Sequence, residues 1–217
     1  MKRLLLVVAG LLLFCDSSVV AQEEELIVKD VLEANFFGGA GIPNGDIKNF
    51  SDTAGASSGY SMGLDAGFFI TYSWVAGLSF TYTQFAVDEA AFAGGLHHKL
   101  YSPNLYLKYY FTSESDWIPY VKAHAGIDFP KFATFVTNTS GNRYREISYD
   151  PVLAFGGGVG LFVYTSDFSG LFFEVNYHRA LSSDSKATYQ DVEYTFGNDL
   201  ATIDVHAGIR ILIGPSQ

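Results

Sequence analysis

Hydrophobic and polar residues alternate with a period of two along most of the chain after residue 34. Successive side chains of a strand point to opposite faces, so this period predicts strands rather than helices. In the last such segment Ile203 and Val205 share one face, and Asp204 and His206 share the other. We predict eight strands, at residues 34–43, 58–69, 74–85, 99–111, 117–127, 152–164, 171–180 and 201–213.

The connections between these strands alternate in length. Three are short, at 70–73, 112–116 and 165–170, and four are long and polar, at 44–57, 86–98, 128–151 and 181–200. Short periplasmic turns that alternate with long extracellular loops are typical of bacterial outer-membrane barrels. Beyond residue 21 no apolar stretch reaches the roughly 20 residues that a membrane-spanning helix needs. A closed barrel is the other structure that crosses a bilayer with its backbone groups satisfied.

The composition of the two strand faces predicts which of them points outward. One face is aliphatic and aromatic and carries no charge, whereas the other is small, glycine-rich and carries charges of both signs. An exposed Lys or Arg near the bilayer midplane costs roughly 2–4 kcal/mol, so the uncharged face suits lipid. We therefore predict an all-β protein, a closed antiparallel eight-stranded transmembrane β-barrel with short periplasmic turns and long extracellular loops.

The polar face would fill the barrel interior with titratable side chains. The predicted interior network comprises Asp65, Lys108, Lys122, His124, Glu174, His178, Asp204, His206 and Arg210. Lys108 and Lys122 are expected to face each other across the turn at 112–116. That arrangement requires an acid between them, such as Asp65 or Glu174.

We interpret this network as an ion-paired plug, because eight strands leave interior space only for side chains and buried charges must be paired. Glu174 is expected to lie opposite Arg210 on the neighbouring strand. The same register would place His178 opposite His206. The alternative interpretation is a gate or a path for protons or ions.

Aromatic residues cluster near the predicted strand ends. Beside the short turns and on the outward face lie Trp74, Tyr109, Phe111, Trp117 and Phe173. Toward the other strand ends lie Tyr60, Tyr82, Tyr101 and Tyr177. Two aromatic belts of this kind mark the two membrane–water interfaces of a barrel.

The start of the chain resembles an export signal. Lys2 and Arg3 precede an apolar run at 4–14, and Val19 and Ala21 occupy the positions that signal peptidase reads. We predict a cleaved signal peptide at 1–21, an N-terminal periplasmic segment at 22–33 and an outer-membrane β-barrel at 34–217. The segment at 22–33 could be a short helix, a strand extension or a disordered lead. A lipid anchor at Cys15 is disfavoured, because bulky Phe14 precedes it.

The remaining composition excludes several classes of function. Without residues 1–21 the chain has 11 basic and 22 acidic residues, a formal charge of −11, which argues against nucleic-acid binding. It also has no cysteine and therefore no disulfide. The three interior histidines could bind a metal, but such residues more often satisfy polar neighbours. We predict no metal, no cofactor and no catalytic residue.

Two stretches resemble a known family. The run Phe37-Gly-Gly-Ala-Gly-Ile-Pro-Asn-Gly45 resembles the first strand and loop of small OmpA/OmpX-like outer-membrane β-barrel proteins, and residues 58–82 resemble their next hairpin. The resemblance implies the bacterial outer membrane and insertion by the barrel-assembly machinery. The sequence departs from the family pattern in its ending Ile213-Gly-Pro-Ser-Gln217, which lacks a terminal aromatic, and we expect no peptidoglycan-binding domain.

The leading hypothesis is a non-enzymatic outer-membrane protein with a structural or surface-interaction role. Its expected partners are outer-membrane lipid and lipopolysaccharide, the assembly machinery, and an extracellular ligand of the long loops. The alternatives are a lipid-modifying hydrolase or acyltransferase that uses His178, His206 and Ser182, a small pore, and a soluble ligand-binding barrel.

Overall fold

The computed structural model describes residues 31–45, 56–87, 95–111, 116–138, 141–181, 185–189, 192–196 and 200–214. These ranges contain eleven strands: β1 Leu32–Gly45, β2 Ala56–Phe69, β3 Trp74–Val87, β4 Gly95–Tyr110, β5 Trp117–Asn138, β6 Gly141–Ser148, β7 Val152–Ser166, β8 Ser169–Ala180, β9 Ser185–Tyr189, β10 Val192–Phe196 and β11 Leu200–Ile213. Within them, no helix has the length and hydropathy to cross a membrane.

Eight of these strands form one closed antiparallel barrel. Around the ring the order is β4, β3, β2, β1, β11, β8, β7 and β5, and the pairing of β4 with β5 completes the circle. The predicted closed eight-stranded barrel is confirmed. Each barrel strand contains a predicted segment nearly whole, with the end of the fourth segment, Phe111, lying just beyond β4. We call the end that carries the connections 70–73, 111–116 and 167–168 the turn end, and the opposite end the loop end.

Three strands lie where the sequence predicted only loops. β5 continues to Asn138 and pairs with β6 in a hairpin beyond the ring, and β9 pairs with β10 in a second hairpin. The purely loop interpretation of 128–151 and 181–200 was therefore wrong. Aromatic and β-branched residues such as Phe132 and Val136 favour strand in the first of these segments.

The barrel has an apolar exterior and a charged interior. Leu78, Leu105 and Leu153 are 63–67% exposed, whereas Glu33 and Arg210 are at most 1% exposed. In every described barrel strand the outward positions between the two aromatic levels are uncharged. A barrel in water would reverse this arrangement, because exposed apolar surface is unfavourable there.

Apolar side chains close the interior on both sides of its charged centre. At the turn end an aromatic cluster contains Val31, Phe37, Phe69, Val75, Tyr106, Tyr110, Ile118, Tyr120, Phe162 and Phe172. At the loop end a smaller cluster contains Ala56, Phe85, Leu100, Ala154, Ala180 and Leu200. Neither cluster was predicted from the sequence, because only polar chemistry was assigned to the inward face.

A glycine makes room for one interior tyrosine. A Cβ on Gly67 would lie 2.1 Å from the Tyr106 hydroxyl oxygen, whereas a Cβ on outward Gly38 would find its nearest atom at 3.8 Å. We expect Gly67→Ala to destabilise the barrel by about 1–2 kcal/mol, since overpacking forces side chains from their preferred positions. Urea unfolding in lipid vesicles measures the difference. Gly38→Ala is the matched control and should change little; equal effects of both variants would contradict the packing argument.

Candidate functional site: the ion-paired interior

Glu33 is the centre of the ionic network near the turn end. It projects inward from β1 and is fully buried. Its Oε1 accepts hydrogen bonds from Lys108 Nζ at 2.8 Å and from the Tyr106 hydroxyl at 2.9 Å. Its Oε2 accepts one from the Tyr110 hydroxyl at 2.9 Å. One carboxylate on β1 is thereby joined to three consecutive inward positions of β4, on the far side of the ring.

Arg210 completes this group but is held mainly by aromatic rings. Its Nε lies 3.2 Å from Glu33 Oε2. The guanidinium carbon is 4.3 Å from the ring centroid of Phe162 and 4.5 Å from that of Tyr110. Cation–π contacts of this kind strengthen when water is absent. The predicted pairing with Glu174 was wrong, because Arg210 lies opposite Gly170 on β8.

The register between β8 and β11 explains this difference. Glu174 lies opposite His206, four residues from the predicted partner, and His178 lies opposite Thr202. A shift by an even number of residues leaves every side chain on its predicted face. The predicted face of each residue therefore did not depend on the register. The two predicted pairs, Glu174 with Arg210 and His178 with His206, did depend on it.

A second ionic group surrounds Lys122, closer to the middle of the barrel. Its Nζ lies 2.8 Å from Asp65 Oδ2 and 3.4 Å from Glu174 Oε1. Lys108 and Lys122 are direct partners in the β4–β5 ladder, as the sequence analysis expected. Each ammonium has its own acids, so the two like charges are compensated separately.

Histidines and hydroxyl groups occupy the loop-side half of the interior. Asp128 Oδ2 lies 2.8 Å from His178 Nε2, and His178 Nδ1 lies 2.9 Å from His124 Nε2. His206 Nε2 lies 3.0 Å from Ser61 Oγ. Each of these side chains thus has a polar partner, although Asp128 Oδ1 and His206 Nδ1 have none among the described residues. In the part of the chain that the structure describes, His, Cys, Asp and Glu do not assemble into a metal-binding group.

Asp204 belongs to this half rather than to the ionic groups. Its Oδ2 accepts a hydrogen bond from the Thr202 hydroxyl at 3.0 Å. It borders a polar cavity of about 30 Å³, together with His124, His178 and His206. A cavity needs roughly 10–15 Å³ to hold one water, so this space suits about two waters rather than an organic substrate.

All nine residues of the predicted network point into the barrel. Eight are buried and His124 is partly exposed. Their role as a plug stays a prediction. Sequence reasoning missed Glu33 and Asp128, both completely buried. β1 begins at Leu32, so Glu33 belongs to the barrel and not to the segment before it. Residues 22–30 lie outside the described ranges.

Extending the inward alternation by one position would have found both acids. Glu33, Asn35 and Phe37 share the inward face of β1, and Asp128 continues the series that Lys122 and His124 begin in β5. The first predicted segment began at 34 and the fifth ended at 127, each one residue short of the acid.

The predicted interface aromatics lie on the outward face or at the strand ends. Trp74, Trp117 and Phe173 are exposed, and Tyr109 and Phe111 are partly buried. Trp74 packs on Tyr109 with a centroid distance of 4.8 Å. At the loop end, Tyr82 lies 6.0 Å from Tyr60 and 5.1 Å from Tyr101, again between ring centroids. Their contact with a membrane interface stays a prediction.

A further ionic group lies outside the barrel at the loop end. Glu146 of β6 accepts hydrogen bonds from Lys99 Nζ at 2.7 Å and from Lys131 Nζ at 3.0 Å. These hydrogen bonds lower the pKa of Glu146 from 4.5 to about 2. A lowered pKa stabilises the folded state fully above the unfolded-state value and loses that contribution as the pH falls toward 2.

We therefore expect Glu146 to titrate with a midpoint near 2 in the folded protein. Carboxyl carbon NMR of the refolded barrel measures it. Removing both ammonium groups with Lys99→Gln and Lys131→Gln should return the midpoint to the ordinary glutamate range, about 4.3. An ordinary midpoint in the unmodified protein would contradict the bridged geometry.

No protein-family model and no curated protein sequence matches this chain. Solved structures do match. Neisserial surface protein A is 15% identical with a TM-score of 0.56, over 83% of this chain and 96% of that chain. The outer membrane protein OprG of Pseudomonas aeruginosa is 15% identical with a TM-score of 0.54, over 89% and 100%. The outer membrane protein AlkL, solved in lipid bilayers, is 14% identical with a TM-score of 0.55, over 93% and 98%.

These neighbours define the class of fold. The chain has the fold of small outer-membrane β-barrel proteins, which is the fold that the OmpA/OmpX-like resemblance implied. At this level of identity the likeness concerns the fold alone.

Proposed function

We propose that this chain is an integral protein of the bacterial outer membrane whose barrel anchors the loop-end segments at the cell surface. The observation that carries the proposal is the inverted polarity of the barrel. The outward face of the described strands is uncharged between the aromatic levels, and the inward face holds Glu33, Lys108, Lys122 and Arg210. Hydrocarbon suits the first surface, and mutual ion pairing suits the second.

The proposed role is non-enzymatic and involves no solute transport. The charged centre and the two apolar clusters fill the interior, and the polar cavity beside His178 has only about 30 Å³. His178 and His206 are both buried inside the ring, away from the lipid-facing surface. Ser182 lies outside the described residues. These placements support an anchor over a lipid-modifying enzyme or a pore.

Membrane insertion tests the anchor directly. After refolding into vesicles the chain should resist extraction by alkaline carbonate and should migrate differently on a gel when it is not boiled. Recovery of folded protein in the aqueous phase without detergent would refute the anchor and favour a soluble barrel. The unboiled chain that has been unfolded in urea is the control for migration.

Two further measurements address the non-enzymatic, plugged state. Planar bilayers that contain the refolded chain should show no current steps above the protein-free bilayer. Mass spectra of lipopolysaccharide incubated with the chain should match those of lipopolysaccharide alone. Reproducible current steps, or new lipid species that disappear in His178→Ala, would refute this part of the proposal.

A further inference from the structure

Basic residues are distributed unevenly over this acidic chain. Among the described residues, the three interior bases are Lys108, Lys122 and Arg210. The other six described bases all belong to strand segments at the loop end: Lys99, Lys131, Arg143, Arg145, Arg179 and Lys186. At the turn end, by contrast, the exposed charged residues that the structure describes are Asp116 and Asp167. Among the described residues the six loop-end bases outnumber the loop-end acids Glu146, Asp150 and Glu193, whereas the exposed charges at the turn end are acidic.

On the outer wall three of the six loop-end bases follow a repeated arrangement. In this arrangement a base lies two positions from an outward aromatic residue, on the same face and on its loop-end side. The three instances are Tyr101 with Lys99, Phe129 with Lys131, and Tyr177 with Arg179. Side chains two positions apart in a strand share a face and lie about 7 Å apart along it. Outward Trp74 and Trp117 at the turn end are not followed by a base in the described residues.

Two of these instances are joined into one site. Lys99 and Lys131 are direct partners in the β4–β5 ladder, and so are Tyr101 and Phe129 one step below them. Lys131 Nζ lies 5.4 Å from the centroid of the Tyr101 ring. The site therefore has a cationic upper level and an aromatic lower level on adjacent strands.

Glu146 holds the two ammonium groups in place. It bridges both at 2.7 and 3.0 Å, so two positive charges share this carboxylate. The side chains of Lys99 and Lys131 remain 17% and 33% exposed. A positioned, partly exposed pair of ammonium groups is suited to a phosphate oxyanion.

We propose that Lys99 and Lys131 bind a phosphate group of a phosphorylated glycolipid, of the lipid A type, in the leaflet that surrounds the loop end. Tyr101 and Phe129 would pack beside the first carbons of its acyl chains, at the level where aromatic side chains meet the membrane interface. This inference rests on the proposed outer-membrane location. Charge complementarity argues for it, because the outward wall below the site carries no charge and the site itself is cationic.

Lipid retention tests the site on the full chain refolded in phosphatidylcholine vesicles. One set of vesicles contains bisphosphorylated lipid A, and the other contains the same lipid after phosphatase treatment. Native mass spectrometry then counts the lipid that stays on the released barrel. The test variant carries Lys99→Gln and Lys131→Gln. The matched control carries Arg143→Gln and Lys186→Gln, which removes the same charge from the loop-end hairpins.

We expect the unmodified chain and the control to retain phosphorylated lipid A. The test variant should retain about tenfold less, since only Lys99 and Lys131 would contact the phosphate directly. Lys99→Arg with Lys131→Arg should keep most of the binding. Equal retention by the test variant, or equal retention of the phosphatase-treated lipid, would overturn the proposal. Displacement of the lipid by millimolar inorganic phosphate would reassign the site to a free anion and also overturn it.

These outcomes are separate from the proposed function. Every variant is first checked for membrane insertion by its migration without boiling. If all variants insert but none distinguishes the lipids, the lipid site fails and the anchor stands. If the unmodified chain does not insert, the anchor fails and the lipid site fails with it.

Discussion

Replacing Glu33 by Gln should destabilise the barrel by about 3–5 kcal/mol, the cost of leaving a buried charge without its partner. Glu33 is fully buried and is the acid that contacts both Lys108 and Arg210. The amide keeps the shape of the side chain but removes its charge. The amide oxygen would still accept a hydrogen bond from Lys108, but Lys108 and Arg210 would lose the negative charge beside them, and the tyrosine ring centroids lie more than 5 Å from Lys108 Nζ.

Equilibrium unfolding by urea or guanidinium in lipid vesicles measures this loss. Glu146→Gln is the matched control, because Glu146 also bridges two bases but is exposed. Exposed ion pairs contribute only about 0–1 kcal/mol each, so the loss of both should cost the control no more than about 2 kcal/mol. If Glu33→Gln were as stable as Glu146→Gln, the interior network would not hold the barrel together.

A single arginine on the outer wall should have the second largest effect. Leu105 lies midway between Tyr101 and Tyr109 on the outward face of β4 and is 67% exposed. If this wall contacts hydrocarbon, Leu105→Arg should cost roughly 2–4 kcal/mol. If the wall contacted water, the same change would be neutral or stabilising, because it removes exposed apolar surface.

Leu181→Arg is the control for this experiment. Leu181 has a nearly equal exposure of 63% but follows the loop end of β8. We expect the control to change the free energy of unfolding by less than about 1 kcal/mol. Equal losses of stability at positions 105 and 181 would mean that the outward wall and the loop end are surrounded by the same solvent.

The alternation of side chains was sufficient to predict the barrel and its faces. Each strand face repeats one chemical type, as in β11, where Ile209 and Ile211 face out and Arg210 faces in. The period of two fixes the face of a residue even when the strand partner is unknown. The interior charges were therefore identifiable before their contacts were.

The contacts between interior side chains depend on the register of neighbouring strands, and the sequence does not specify every register. β7 and β8 are joined by the short turn at 167–168, which limits their register. β8 and β11 are separated by residues 181–199, so their pairing depends on closure of the whole ring. The wrong expectation for Glu174 and Arg210 arose at this second pair.

Glu33 was missed for a related reason. It lies at the beginning of β1, before the alternation is long enough to be recognised, and its partners Lys108 and Tyr110 are more than 70 residues away. From the sequence, the three interior bases were expected to be compensated by Asp65, Glu174 and Asp204. The structure instead uses Glu33 for two of the bases and places Asp204 beside Thr202.

Spin-label accessibility measures directly whether the charge-free wall of the barrel faces hydrocarbon. Cys15 is the one cysteine of the chain and lies in the predicted signal peptide, so single labels can be introduced by Leu105→Cys, Asn104→Cys and Leu181→Cys. In vesicles, a label at 105 should collide frequently with lipid-soluble oxygen and rarely with a water-soluble nickel complex. The label at 181 should show the opposite preference, and the inward label at 104 should be shielded from both. Frequent nickel collisions at position 105, equal to those at 181, would contradict the account.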